Sequence, residues 1–394
     1  MRNNKRRSRE TMTEGNESSP LPLAIIKDIL SRMPVKTVTR FQSVSKPWSA
    51  LIKSPDFVAT HLRQSSRDPS LLIRRFHNPT GSNFAMISFN MRTAILRDIR
   101  IPFLNSLFRL PKIVGSSNGL VCFDISHCHA SAFVLWNIST TQFKAIPNPQ
   151  INDARRPFWM VASGFGYNRE VDDYKLVRVV NFHPTEDELP VVRVEVYSWS
   201  TGSWKVIDHR STDDTIGSCV ITEGVQAVNV NGCLYWLGVV AGKLADGKIV
   251  VSFDMGTEEF KLTAIPDFVN GVCVKILDLD GSLALALYPS MPVLPGRARP
   301  VDRTEIWVYL NSAVENKRWA KVTNISGFGC PVGILRGSEL IMKRVDTHCI
   351  SLSSLDLISD TVKRLPACGS EYSCDICSYV DSLVPVDSEI GGPN

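Results

Sequence analysis

One local pattern recurs along this 394-residue chain and narrows its fold more than any other feature. A strand-like run ends in a large apolar residue, a short polar turn follows, and a second apolar residue comes seven positions after the first. The pairs are Trp136 with Phe143, Tyr197 with Trp204, Phe253 with Phe260, and Leu355 with Val362. A fifth pair, Trp307 with Trp319, has a gap of twelve, read as a lengthened loop at 311–317. A second element accompanies the first: an Asn-Gly or Asp-Gly turn that opens an apolar strand. It stands at Asn118-Gly119, Asn231-Gly232 and Asp280-Gly281, with a weaker copy at Arg336-Gly337. Such dipeptides favour hairpins because the turn needs positive φ at its central residues.

Several short strands per repeat, at intervals of 48 to 61 residues, form the pattern of propeller blades. A β-sandwich of irregular hairpins is the alternative, but nothing in a sandwich calls for one hairpin signature repeated at this spacing. The runs between the turns are β-branched or aromatic, and no long amphipathic helix interrupts 69–387. The expected domain is all-β, a propeller of about six blades. Its first strands, near 71–89, and its last, near 378–386, are expected to share one blade and close the ring without an open edge.

The N-terminal sixth has a different character. Residues 1–20 are polar and charged, the composition of a flexible tail. The cluster Lys5-Arg6-Arg7 is either a nuclear import signal or part of that solvated tail. From Leu21, apolar residues at Ile25, Ile26, Ile29, Leu30 and Met33 follow helical spacing, and Pro34 stops the run. Val35, Val38 and Phe41 mark a second short helix. Ser45 before Lys46-Pro47, and Ser54 before Pro55-Asp56, are start signals for two more. Four short helices in about 42 residues bury little core by themselves. Either a partner covers their apolar face or the module packs on the main domain.

Charge follows the same division. Residues 1–62 carry a balance of +6, and the remaining residues −1. A broad nucleic-acid surface needs cations clustered on the main domain, which these totals do not supply. A small basic module facing an acidic partner fits better. No run approaches the ~18 apolar residues of a membrane span. The first twenty residues lack the apolar core of a secretory signal. The ten cysteines are therefore expected to be free thiols in a reducing, intracellular compartment, cytoplasmic or nuclear.

No constellation nominates a catalytic or metal centre, and no cofactor is expected. Cys374-Asp375-Ile376-Cys377 has no second pair to complete a zinc site and is read as a chance pair in a loop before the last strand. His127-Cys128-His129 with Cys122 places adjacent side chains on opposite sides of a strand. Asp172-Asp173, Asp213-Asp214 and 186–188 read as solvated acidic loops. No phosphate-binding loop or nucleophile elbow is present. The tryptophans at 136, 204, 236, 307 and 319 read as core anchors. Trp159, in Arg155-Arg156-Pro157-Phe158-Trp159, is different: an arginine and aromatic loop is the kind of surface that binds partners. Arg155, Arg156, Phe158 and Trp159 are thus candidate target contacts, although Phe158 and Trp159 also suit the start of the next blade. The insertions at 181–190, 240–248 and 290–302 are further candidate target-facing loops.

The helical block resembles the F-box, which docks on the Skp-type adaptor of cullin-based ubiquitin ligases. The residues carrying the resemblance are Leu21-Pro22, Ile25-Ile26, Ile29-Leu30, 32–36, Arg40-Phe41, 44–46, Trp48, Leu51-Ile52 and 54–57. The rest resembles the F-box-associated domain of the large plant F-box family, through 115–121, 136–140, 164–167 with 172–177, 231–236 and 379–384. That implies a kelch-like propeller, although the chain lacks a Gly-Gly pair in each blade and has no Trp-Asp dipeptide. The resemblance divides the chain into a basic tail (1–20), an F-box (21–63), a connector with the first propeller strands (64–112), the propeller domain (113–388) and a tail (389–394). It implies a non-catalytic substrate adaptor. Leu21, Pro22, Ile25, Ile29, Pro34, Val35, Val38 and Phe41 would bind the Skp adaptor, and through it cullin and RING subunits, while the propeller holds an unknown target protein. A protein- or carbohydrate-binding propeller outside a ligase, or a propeller enzyme, are the other readings.

Overall fold

Local signals set the four helices. In a computed structural model of the chain, α1 (Leu23–Ser31) follows Pro22, which stands at its N-cap rather than in its first turn. Pro34 caps α2 (Val35–Phe41). The hydroxyls of Ser45 and Ser54 accept from the amides of Trp48 and Phe57, each at 3.3 Å, and start α3 (Lys46–Lys53) and α4 (Pro55–Ser65). Proline in the first turn of α3 and α4 removes an N–H that would have no partner there. The structure describes residues 21–76, 84–90, 95–102, 111–126, 132–151, 158–182, 191–207, 219–222, 226–240, 247–265, 272–289, 303–310, 318–326, 329–345, 350–365 and 374–386.

The strands described form six antiparallel sheets, which we number as blades I to VI. Blade I contains β1 (Ser70–Phe76), β2 (Phe84–Asn90) and β3 (Ile95–Ile99). Blade II is β4 (Lys112–Ser117), β5 (Leu120–Asp124), β6 (Phe133–Asn137) and β7 (Gln142–Ile146). Blade III is β8 (Phe158–Asn168), β9 (Asp173–Phe182), β10 (Val191–Ser198) and β11 (Ser203–Ile207). Blade IV is β12 (Cys219–Ile221), β13 (Val228–Val230), β14 (Cys233–Val240), β15 (Lys248–Asp254) and β16 (Phe260–Ala264). Blade V is β17 (Val272–Leu279), β18 (Ser282–Pro289), β19 (Arg303–Leu310) and β20 (Arg318–Ser326). Blade VI is β21 (Cys330–Arg336), β22 (Glu339–Val345), β23 (Ile350–Asp356) and β24 (Thr361–Arg364).

The last strand, β25 (Cys374–Tyr379), pairs with β1 and completes blade I from the other end of the chain. The innermost strands β4, β8, β13, β17, β21 and β25 each pack beside the next, and β25 returns to β4. The ring is therefore closed by one C-terminal strand, which pairs the edge of β1 that would otherwise be bare. Cys374 and Cys377 lie on this strand and not in a loop before it, so the sequence reading of that pair is corrected.

The turn geometry explains the repeat. Asn118, Asn231 and Asp280 have φ near 50°, and the glycines after them have φ of 79°, 84° and 76°. Both central residues of these turns are thus left-handed, a conformation that glycine adopts without a steric cost. The seven-residue pairs are direct cross-strand partners: Trp136 with Phe143, Tyr197 with Trp204, Phe253 with Phe260, and Leu355 with Val362. Each of these turns places one positive-φ residue two positions before the second partner, at Thr141, Gly202, Glu258 and Asp360. Asn137 and Asp254 brace their turns by accepting two backbone amides each. Blade V departs from the expectation. Trp319 pairs with Tyr309, their rings 5.0 Å apart, and Trp307 pairs with Lys321. The register shifts by one residue at a bulge between Ile306 and Trp307, and pairing continues to Leu310 and Arg318, so the longer connection lies between those two residues.

Candidate functional site

The helical module has its own small core, built from Leu30, Val35, Val38, Ile52 and Phe57. Leu383, from just beyond β25, completes it. The module therefore packs on the propeller and still leaves an apolar surface open. Leu21, Leu23 and Val44 are 59%, 62% and 60% exposed, and Ile25 and Ile29 are also exposed. Of the eight adaptor contacts expected from sequence, Leu21, Pro22, Ile25, Ile29 and Pro34 are on the surface. Phe41 is half-buried, its ring edge-on to Trp48 at 5.5 Å. Val35 and Val38 correct the expectation: they are buried in the module's core and hold its shape. Leu23 and Val44 are exposed apolar residues that the sequence reading did not single out, because helical period identifies an apolar face but not which part of it is already covered.

The C-terminal segment joins module and propeller. The Asn137 side-chain amide donates to the carbonyls of Ser382 (3.1 Å) and Val384 (2.8 Å). Ser139 Oγ donates to Asp381 at 2.7 Å and lies 2.6 Å from the Tyr379 hydroxyl. Val386 packs into the core between blades II and III. A cleft of about 770 Å3 runs along this joint, lined by Arg32, His61, Arg67, Arg97 and Asp381 among others. Arg32 is paired with Asp28 at 3.0 Å, and Arg67 donates to the Gln64 side chain at 2.8 Å. With Asp68 and Asp381 in the same wall, the cleft holds charges of both signs. His61 is buried; its Nε2–H donates to the Met33 carbonyl at 2.9 Å. Burial lowers its pKa below the ordinary 6.5, against the opposing pull of the Met33 bond and Asp381.

The module lies on the face that carries the inner-strand turns, since Ser66 and Pro69 line the same channel mouth as Asn118, Gly119, Asp280, Gly281 and Gly337. Gly119 is indispensable here: a Cβ would lie 2.2 Å from the Ser382 Cβ and 2.6 Å from the Val380 carbonyl. This mouth, about 700 Å3, is lined by all six inner strands. Antiparallel pairing sends β7 and the start of β8 to the opposite face. That far face also receives the strand ends flanking 183–190, 241–246 and 290–302.

Arg155 and Arg156 lie outside the described residues, as do His127, Cys128, His129, Asp213, Asp214 and 186–188. Phe158 and Trp159 open β8, with a bulge between Phe158 and Met160. Asp172 and Asp173 are not merely solvated. Asp172 accepts from the Tyr167 hydroxyl, and buried Asp173 accepts from the Ser200 amide at 2.9 Å and from the Ser198 and Ser200 hydroxyls. Among the described residues, no three His, Cys, Asp or Glu side chains are grouped to hold a metal ion. The six cysteines whose side chains are described form no disulfide, and burial pushes the Cys219 thiol up to about 11. No helix described is long and apolar enough to cross a membrane.

Sequence reasoning also missed the blade III pair Arg178 and Glu195. They are cross-strand partners with fully buried side chains, in runs read only as β-branched strands.

A closed propeller with a small helical module packed on its turn-bearing face is the architecture of this chain. Residues 19–60 match the F-box domain and residues 84–386 the F-box associated beta propeller domain. The chain belongs to the family of F-box proteins with an F-box-associated β-propeller. It is 29% identical to the F-box protein CPR1 of Arabidopsis thaliana, over 92% of this chain and 88% of that one. It is 24% identical to an F-box/kelch-repeat protein of the same plant, over 85% of this chain and 88% of that one. Among solved structures, TolB from Acinetobacter baumannii aligns at 12% identity and a TM-score of 0.47, over 83% of this chain and 73% of that one.

Proposed function

We propose that this protein is the substrate-recognition subunit of a Skp–cullin–F-box ubiquitin ligase. The helical module binds a Skp-type adaptor, the propeller binds the protein to be ubiquitinated, and the chemistry takes place on other subunits. The contribution of this chain is proximity and orientation. One observation carries the reading: an F-box whose first segment keeps Leu21, Leu23, Ile25 and Ile29 exposed while its core is completed by Leu383 from the propeller's C-terminal segment. Exposed apolar surface of this kind marks a site of protein association.

The far face is the target-facing side in this reading, because the module occupies the other. Arg155, Arg156, Phe158 and Trp159 are the proposed contacts, at the crossing from blade II to blade III. The protein acts inside the cell, where cullin ligases work. Co-purification with a Skp-type adaptor tests the assignment. Wild-type protein is expected to retain the adaptor, and the variant Leu21→Ala with Pro22→Ala to lose it while keeping a native thermal midpoint. Adaptor capture undiminished in that variant, or absent from wild type, would leave a binding propeller that acts outside a ligase.

A further inference from the structure

Arg178 on β9 and Glu195 on β10 form an ion pair whose two side chains have no exposure to solvent. Alternation along β9 puts Arg178 on the same face as Leu176 and Val180. That face packs toward blade II: Leu176 joins Val114, Leu120 and Leu135, and Val180 joins Ile151. Pattern alone calls for an apolar side chain there. A buried ion pair adds little net stability, because desolvating both charges offsets their attraction, and apolar replacements of both members are often neutral. The pair therefore needs another explanation.

Both members bond the same short stretch of main chain. Glu195 Oε2 accepts from the amides of Gln150 (3.0 Å) and Ile151 (2.9 Å), and Arg178 donates to the Ile151 carbonyl at 3.0 Å. Two more bonds tie the stretch to β11. The Gln150 side-chain amide donates to the Trp204 carbonyl at 3.0 Å, and the Trp204 indole donates to the Pro147 carbonyl at 2.6 Å. Residues 147–151 are where the chain leaves blade II for blade III, on the far face.

We propose that Arg178 and Glu195 are positioning residues for target recognition: they fix the path of 147–151 at the start of the blade II to blade III crossing. The inference rests on the reading of the far face as target-facing. The physical reason is satisfaction of main-chain groups. Without Glu195, the amides of Gln150 and Ile151 have no acceptor in an apolar seam, and they must turn toward water. The crossing then leaves its path while the blade, held by its own strand pairing, stays folded. A single replacement is uninformative, since it strands a buried charge. The double replacement Arg178→Met with Glu195→Leu avoids that.

The test is amide hydrogen exchange on the full chain. In the double variant, exchange at Gln150 and Ile151 is expected to rise about tenfold or more, with β9 amides still protected and the thermal midpoint near that of wild type. Unchanged exchange at Gln150 and Ile151 would overturn the proposal, because the path would hold without the pair. Global unfolding would overturn it as well, because the pair would then serve the blade and not the crossing. Exchange is read without any target. The target-facing reading stands or falls separately, on target capture by the variant Arg156→Ala with Trp159→Ala.

Discussion

The side-chain amide of Asn137 lies 2.8 Å from the carbonyl of Val384, a residue 247 positions later in the chain. Asn137 ends β6 and its own side-chain oxygen braces the turn to β7 by accepting from Ser139 and Thr140. One buried side chain thus holds a local turn and the chain's last described segment together. Beside it, Leu383 reaches into the helical core and Val386 into the core between blades II and III. The segment 380–386 is the splice between the two surfaces.

Loss of that splice should separate the two parts in a defined order. Asn137→Ala is expected to cost about 1–3 kcal/mol, the range for stranding buried partners. Leu383→Ala should cost about 2–5 kcal/mol, as large-to-small core changes do. Denaturant unfolding followed by helix signal should then show the helical module melting ahead of the propeller. Deleting 374–394 removes β25 and opens the ring, so an insoluble or protease-sensitive product is expected. A truncated protein with the native thermal midpoint would show that the ring does not depend on β25.

The exposed and buried residues of the helical module should behave oppositely. Ile25→Glu with Ile29→Glu lies on the open face of α1, so it is expected to keep the thermal midpoint and lose adaptor pull-down. Val38→Ala, in the core, should lower stability by about 2 kcal/mol and leave residual adaptor binding in the folded fraction. Equal loss of folding in both variants would count against a distinct docking face.

His61 is expected to make the module sensitive to acid. Its folded-state pKa is lowered by burial, so the unfolded chain takes up a proton more readily. The stabilisation it provides is complete above 6.5, the unfolded value, and is lost as pH falls through 6.5 toward the lower folded value. The thermal midpoint should therefore drop between about pH 7 and about pH 5. His61→Gln, which can still donate to the Met33 carbonyl, should flatten that stretch of the profile. An equally steep fall in the variant would exonerate His61.

On the far face, Arg156→Ala with Trp159→Ala is expected to abolish target capture and spare the adaptor. Anchors of this type are commonly worth about 2 kcal/mol, roughly thirtyfold in affinity. Affinity purification under proteasome inhibition measures both partners at once. Capture at full strength would dismiss these contacts, and an unfolded variant would place Trp159 in the core.

Much of the blade architecture was legible because it is local. Asn118-Gly119, Asn231-Gly232 and Asp280-Gly281 adopt positive φ within the turn itself. The seven-residue gap follows from braced turns between cross-strand partners. Ser45 and Ser54 start their helices with their own hydroxyls. Such features rest on neighbours a few residues away, so the sequence by itself determined them.

The tertiary structure decided the rest, and in each case the deciding group is remote in the chain. Helical period put Val35 and Val38 on an apolar face, but Leu383 and the other helices decided that this part was core. Arg178 and Glu195 sit in strands that read as ordinary β-branched runs, and only the meeting of blade III with 147–151 gives them a role. Closure by β25 brings β1 and the chain's end into one sheet. A turn or a cap is specified by local dihedrals and local hydrogen bonds. Burial, closure and pairing depend on which distant groups exclude water from a given side chain, and that is settled only when the whole ring has formed.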